Sequence, residues 1–102
     1  MTEEEFLRQV LKLARLCGWR SYHPRPGRTA AGWRTPVQGD GSGFPDVILL
    51  RGDRCLVAEL KTDSRSPTPE QRAWLAAFNA AGIVAAVWRP RDWRHIEREL
   101  AR

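Results

Sequence analysis

Residues 43–61 constrain this chain more than any other stretch, because they read as a β-hairpin with its charges gathered at one end. Gly43-Phe44-Pro45-Asp46 leads into the apolar run Val47-Ile48-Leu49-Leu50, Arg51-Gly52-Asp53-Arg54 interrupts it, and Cys55-Leu56-Val57-Ala58-Glu59-Leu60-Lys61 returns. Gly-Asp is a recognised two-residue hairpin turn. With Gly52 and Asp53 as the turn, the register pairs Leu50 with Cys55, Ile48 with Val57 and Asp46 with Glu59. Side chains alternate along a strand, so Glu59 and Lys61 share a face with Cys55 and Val57, and Asp46, Ile48 and Leu50 lie on that same face. Two opposed carboxylates have Cβ atoms about 4.5–5.5 Å apart, where like charges are destabilising. A divalent cation is the simplest compensation. Lys61 lies two residues further on, roughly 6.6 Å along the strand.

Around the hairpin the chain reads as alternating helices and strands. Thr2 and Glu5 form a capping box, and Glu3, Glu4 and Glu5 complement the dipole of a helix whose apolar positions run from Phe6 to Cys17 and stop at Gly18. Glu3 precedes Phe6 and Leu7 by three and four residues and so shares the apolar face. Glu5 falls on the wet side with Arg8. Trp19 to Tyr22 predicts a short strand. Thr68-Pro69-Glu70-Gln71 opens a second helix, with Thr68 as N-cap, Gln71 completing a capping box, and Trp74, Leu75, Phe78 and Ala81 as its buried stripe. Gln71 lies on the core side, where it either only caps the helix or also holds a water or phosphate beside Lys61. Ile83 to Trp88 lacks alternation and predicts a buried strand, parallel to the second hairpin strand across the helix. Asp92 is placed to cap a last helix built on Trp93, Ile96 and Leu100. His95 falls off that face, as a solvated histidine would. The expected fold is a small α/β domain over residues 1–102, with a mixed central β-sheet flanked by helices in the order α-β-β-β-α-β-α.

Between the first strand and the hairpin, residues 23–43 predict a long basic loop. It holds three prolines, five glycines, Arg25, Arg28 and Arg34 with Trp33 among them, and one acid, Asp40. Loops this long inside a compact domain are uncommon and usually functional or disordered. Interleaved arginine and aromatic residues suit phosphate contact and base stacking, which makes these four residues candidates for DNA contact. The plainer alternative is a connector that is basic by chance.

Charge supports a polyanionic partner. Seventeen basic residues face twelve acids, a net +5 with a pI near 10.2, and fifteen of the seventeen are arginine, the side chain best suited to bidentate phosphate contacts. Arginine-rich usage also arises from GC-rich coding, so composition alone decides nothing. No apolar run approaches the roughly 20 residues of a membrane span, and no signal peptide is legible. Cys17 and Cys55 fall in apolar segments, as two buried free thiols in a reducing cytoplasm would. The histidines and cysteines show no zinc spacing.

The chemistry implied by Asp46, Glu59 and Lys61 is phosphodiester hydrolysis. Two carboxylates and the backbone carbonyl of Leu60 are hard oxygen ligands suited to Mg²⁺ or Mn²⁺. Lys61 is placed to orient or activate water, or to offset transition-state charge. Either motif alone is common, since Glu-x-Lys is an ordinary strand pattern and Pro-Asp an ordinary turn.

Pro45-Asp46 followed by Glu59-Leu60-Lys61 resembles the Pro-Asp…Glu-x-Lys signature of the PD-(D/E)XK nucleases. The wider pattern resembles the VRR-NUC nucleases, especially their short stand-alone forms from phages and bacteria. Gly18-Trp19, His23-Pro24, Gly32-Trp33-Arg34-Thr35 and Gly43-Phe44-Pro45-Asp46 carry the likeness upstream. Ala58-Glu59-Leu60-Lys61, Thr68-Pro69-Glu70-Gln71-Arg72, Trp74-Leu75 and Val87-Trp88-Arg89-Pro90 carry it downstream. The resemblance implies a restriction-endonuclease-like fold and a Mg²⁺- or Mn²⁺-dependent DNA endonuclease, with Asp46 and Glu59 on the metal, Lys61 serving the water and Gln71 supporting it. It also implies an acid near the start of the first helix, which the face argument assigns to Glu3, with Glu4 and Glu5 left open. Stand-alone members act as homodimers on branched DNA such as four-way junctions. Two rivals stand beside this reading: a catalytically inactive nucleic-acid binder of the same fold, and a small basic assembly or regulatory protein.

Overall fold

The computed structural model describes residues 1–24, 27–29, 32–34, 38–62 and 64–102, with the backbone alone for 27–29 and 32–34. In chain order the elements are α1 (Glu3–Leu16), β1 (Arg20–Tyr22), β2 (Gly27–Thr29), β3 (Gly32–Arg34), β4 (Val47–Arg51), β5 (Arg54–Leu60), α2 (Pro69–Ala80), β6 (Val84–Trp88), a 3₁₀ turn (Pro90–Asp92) and α3 (Trp93–Ala101). The central sheet runs β1-β4-β5-β6. It is mixed, because β1 and β5 lie antiparallel to β4 while β6 lies parallel to β5 across α2.

The hairpin closes in the register its turn dictates. Arg51 pairs with Arg54, Leu50 with Cys55, Ile48 with Val57 and Val47 with Ala58. Gly52 supplies the positive φ, +59°, that the turn requires. Strand alternation then divides the sheet between two cores. Val47, Leu49, Leu56, Ala58, Leu60 and Trp88 face α1 and α3 and pack on Phe6, Val10, Ala14, Ile96 and Leu100. Val57 and Ala85 face α2 and pack on Leu75, with Ile48, Cys55, Phe78 and Val87 around them. The hairpin's charged end belongs to the α2 side.

Both expected capping boxes are present. Thr2 Oγ1 accepts from Glu5 N–H and Glu5 accepts from Thr2 N–H, and the same exchange joins Thr68 and Gln71 at 2.9 and 3.2 Å. The short strand expected after α1 is β1.

Several expectations are corrected. The stretch 23–43 is not loop throughout: Gly27–Thr29 pairs antiparallel with Gly32–Arg34 as a separate two-stranded ribbon. Three-residue strands with two glycines carry no alternation to announce them. β6 is not fully buried, because it forms an edge of the sheet and leaves Val84 52% exposed. Ala81 does not join the α2 stripe but is exposed at the helix C-cap. Asp92 does not cap α3 through its side chain; Oδ2 accepts from the Arg89 N–H at 2.9 Å and closes the 3₁₀ turn instead. Cys17 and Cys55 are free, as expected, but half-buried.

Arg51 and Arg54, on either side of the hairpin turn, are structural. Their guanidinium carbons lie 4.6 and 5.0 Å from the Trp19 ring centroid. Arg51 donates to the Cys17 and Leu100 carbonyls and Arg54 to that of Glu99. Cations are favourable at a helix C-terminus, and this pair fastens α3 to the hairpin. No helix among the described residues is long and apolar enough to cross a membrane.

Candidate active site

Asp46 lies one residue before β4, and its position is held from several sides. Its carboxylate Oδ2 accepts from the Leu60 N–H at 2.8 Å, just past the last paired rung of the hairpin. Its backbone carbonyl accepts from Nδ1 of His23 at 2.7 Å. Gly43, three residues earlier, lies against the first turn of α2: a Cβ there would meet the Glu70 backbone at 2.7 Å and the Gln71 nitrogen at 2.9 Å, and φ is +80°. Only glycine satisfies both demands. The segment carrying Asp46 is thus seated on the helix that carries Gln71.

Glu59, opposite Asp46 by extension of the register, is the one buried charged side chain among the described residues, 3% exposed. Its Oε1 is buried with no hydrogen-bond partner. Burial pushes its carboxyl up to about 8, helped by the Asp46 charge and by a hydrogen bond with Asp46; Lys61 opposes the shift and Glu3 adds to it. An orphaned acid oxygen in a dry site is costly unless something fills the gap. Lys61 continues from β5, its N–H bonded to the Trp88 carbonyl at 3.0 Å, and is half-buried.

The first-helix acids separate. Glu3 is the one whose charge reaches Glu59. Glu4 pairs with Arg8 at 3.4 Å, and Glu5 is spent on its capping box, where the Thr2 backbone and hydroxyl hold its carboxyl below the ordinary value. Gln71 Oε1 accepts from Thr68 N–H, so the capping role is seen directly. Of the residues proposed for DNA contact, Arg25 lies outside the described residues. Arg28 falls on β2, and Trp33 and Arg34 on β3, with the backbone alone described.

The donor set fits a divalent cation of the Mg²⁺ class. Asp46 and Glu59 supply hard anionic oxygens, Leu60 supplies a neighbouring backbone carbonyl, and the unpartnered Oε1 of Glu59 is a vacant acceptor. Among the described residues no group of three or more His, Cys, Asp or Glu side chains could hold a metal ion. Two carboxylates are enough for Mg²⁺, which is commonly bound through one or two of them with water completing its shell.

Residue-pattern reasoning gave no role to His23, because a bond between a side chain and a carbonyl 23 residues away leaves no local pattern. Trp74, expected only as part of the α2 stripe, also donates Nε1 to the Asp40 and Ser42 carbonyls at 2.9 and 3.2 Å and meets the Phe44 ring edge-on at 4.9 Å. These contacts tie the segment before Asp46 to α2. In the sequence both residues belong to stretches that carry the family likeness, His23-Pro24 and Trp74-Leu75, but nothing local announces these bonds.

The model of the VRR-NUC domain matches residues 4–92 of the chain. Comparison with curated proteins and with solved structures returned no match.

Proposed function

Because the chain belongs to the VRR-NUC family, a nuclease-type domain for which DNA is the implied substrate, we propose that it is a Mg²⁺- or Mn²⁺-dependent DNA endonuclease that selects branched DNA and works as a homodimer. One observation carries the metal-dependent reading: the buried, unpartnered Oε1 of Glu59 beside Asp46. Were Glu59 only structural, an apolar residue of similar size in its place would remove the cost of a buried carboxyl whose Oε1 has no partner.

Asp46, Glu59 and the Leu60 carbonyl would hold the ion. When bound, it would polarise the scissile phosphodiester and lower the pKa of an attacking water. Lys61, on the same face of β5 as Glu59, orients that water through its ammonium N–H groups and offsets the negative charge that builds on the phosphorane. Gln71, seated against Gly43, supports the water from α2 with the amide group that the capping box leaves over. Glu3 adds negative charge from the start of α1 and favours a cation between the carboxylates. Arg25, Arg28, Arg34 and Trp33 grip the DNA backbone and stack on its bases outside the reacting centre. In a two-fold dimer the two sites would face symmetric strands of a junction, which suits paired nicks.

The test is cleavage of a labelled four-way junction, beside linear duplex, flap and single-stranded controls, in Mg²⁺, Mn²⁺ and EDTA, with wild type and Lys61→Ala in parallel. Metal-dependent cutting of the junction that the variant loses is the expected result. Tight binding without cutting in any metal would make the chain a DNA-binding relative and remove the catalytic assignments. Equal cutting of all substrates would remove the branched selectivity alone.

A further inference from the structure

The register of β1 on β4 pairs Tyr22 with Ile48, so continuing it sets Pro24 opposite Asp46. Proline has no N–H and cannot supply the next rung. The His23 ring fills that gap: Nδ1 lies 2.7 Å from the Asp46 carbonyl oxygen. A carbonyl only accepts, so Nδ1 carries the proton of this bond. Asp46 is therefore held at both ends, by His23 on its backbone carbonyl and by the Leu60 N–H on its carboxylate.

Such a hold has a purpose at this position. Asp46 lies opposite the buried Glu59 by extension of the hairpin register, and directly opposed carboxylates push each other apart when both are charged. Asp46 lies beyond the last paired rungs, Tyr22 with Ile48 and Val47 with Ala58, so the strand ladder itself does not keep its peptide from rotating the carboxylate away from Leu60. We infer that His23 is a positioning residue, which locks the Asp46 backbone so that its carboxylate stays against Leu60 and beside Glu59 before any ion arrives. Outer partners of metal-ligand side chains act in this way, and losing one typically costs about 10–100-fold in metal affinity. The inference extends the endonuclease reading, and its main readout is independent of that reading.

Two variants separate the hydrogen bond from the bulk of the ring. His23→Asn keeps a donor near the Nδ1 position, whereas His23→Phe keeps a ring without one. Amide hydrogen exchange of the metal-free protein, read at Leu60, reports whether Asp46 still accepts there; Val57 in the sheet interior is the internal control. Leu60 exchange about tenfold faster in His23→Phe, unchanged in His23→Asn, and unchanged for Val57 in both is the expected result. Mn²⁺ titration by calorimetry on the same samples should show about tenfold weaker binding for His23→Phe only. Wild-type exchange at Leu60 in His23→Phe, or equal impairment of the two variants, overturns the inference. Failure of wild type to bind Mn²⁺ would strike the metal-dependent reading instead, while the Leu60 comparison still decides the role of His23.

Discussion

Leu60 donates its backbone N–H to Oδ2 of Asp46 at 2.8 Å, so the carboxylate serves as the end cap of a strand whose next residue is Lys61. The hairpin's last paired rung is Val47 with Ala58. Beyond it the backbone would leave an open donor at Leu60, and the Asp46 side chain closes it. The same carboxylate raises the proton affinity of Glu59. Strand termination and the assembly of an acidic pair are thus one geometric event, which predicts how substitutions at this end behave.

Asp46→Asn separates charge from hydrogen bonding. The amide oxygen still accepts from Leu60, so the strand end stays closed, but the negative charge beside Glu59 is gone. Without metal at pH 8 the variant should be more stable than wild type by about 1 kcal/mol, or about 4–8 °C in Tm at this size. Junction cutting should fall by about 100-fold or more, since a neutral amide is a poor ligand for a hard divalent ion. Thermal denaturation in EDTA and single-turnover cleavage measure the two effects. A variant less stable than wild type at pH 8 would mean that the carboxylates do not repel.

The raised carboxyl of Glu59 sets a pH signature. Its ordinary value is 4.5 and its folded value about 8, so between these limits the folded chain keeps a proton that the unfolded chain releases. Stability from this group is therefore fully present below about pH 4.5 and is lost as pH rises towards 8. In EDTA, the urea midpoint of wild type should fall between pH 5 and pH 8, relative to that of Glu59→Gln. The variant should be the more stable of the two at pH 8. Parallel curves across that window would show that Glu59 ionises as an ordinary acid.

Gly43→Ala tests the seat of the Asp46 segment on α2. The added methyl would sit 2.7 Å from the Glu70 backbone at a φ of +80°. Overpacking and the left-handed conformation together should cost about 2–4 kcal/mol. The midpoint in urea should drop with the slope unchanged. Gly39→Ala, also at positive φ but with nothing within 4 Å of its added methyl, should lose no more than about 1–2 kcal/mol. Equal losses at the two positions would mean that the contact with Glu70 and Gln71 contributes nothing.

Legibility in the sequence followed the range of each interaction. The hairpin register could be read because Gly52-Asp53 fixes the turn and a period of two fixes everything after it, so Asp46, Glu59 and Lys61 fell on one face without knowledge of the rest. Thr2 with Glu5 and Thr68 with Gln71 were readable because a capping box spans three residues. Glu3 was separable from its neighbours because helical spacing set it beside Phe6 and Leu7, and it is the helix acid whose charge reaches Glu59. What escaped depends on distant partners. The His23 bond to Asp46 spans 23 residues, and the arginines stacked on Trp19 look in sequence like surface cations. The ribbon at 27–34 is too short to carry a period. Gly43 was visible as a glycine, but its demand comes from Glu70, which only the fold brings near.

A thermal shift with metal separates the proposed ligands from the residue that serves the water. An ion that binds only the folded chain stabilises it by about 2.7 kcal/mol at a concentration 100 times its dissociation constant, about 10–20 °C in Tm for a chain of this size. Mn²⁺ should produce a shift of that order in wild type. Lys61→Ala donates no ligand oxygen and removes a cation that competes for the carboxylates, so it should keep the shift or enlarge it while losing cleavage. Glu59→Gln and Asp46→Asn should lose most of the shift along with cleavage. The wild-type shift should also grow from pH 6 to pH 8, because the ion must displace the proton that Glu59 holds up to about 8. A shift lost equally in Lys61→Ala and Asp46→Asn would show that lysine and carboxylate act as one structural unit, and the division of roles between them would have to be abandoned.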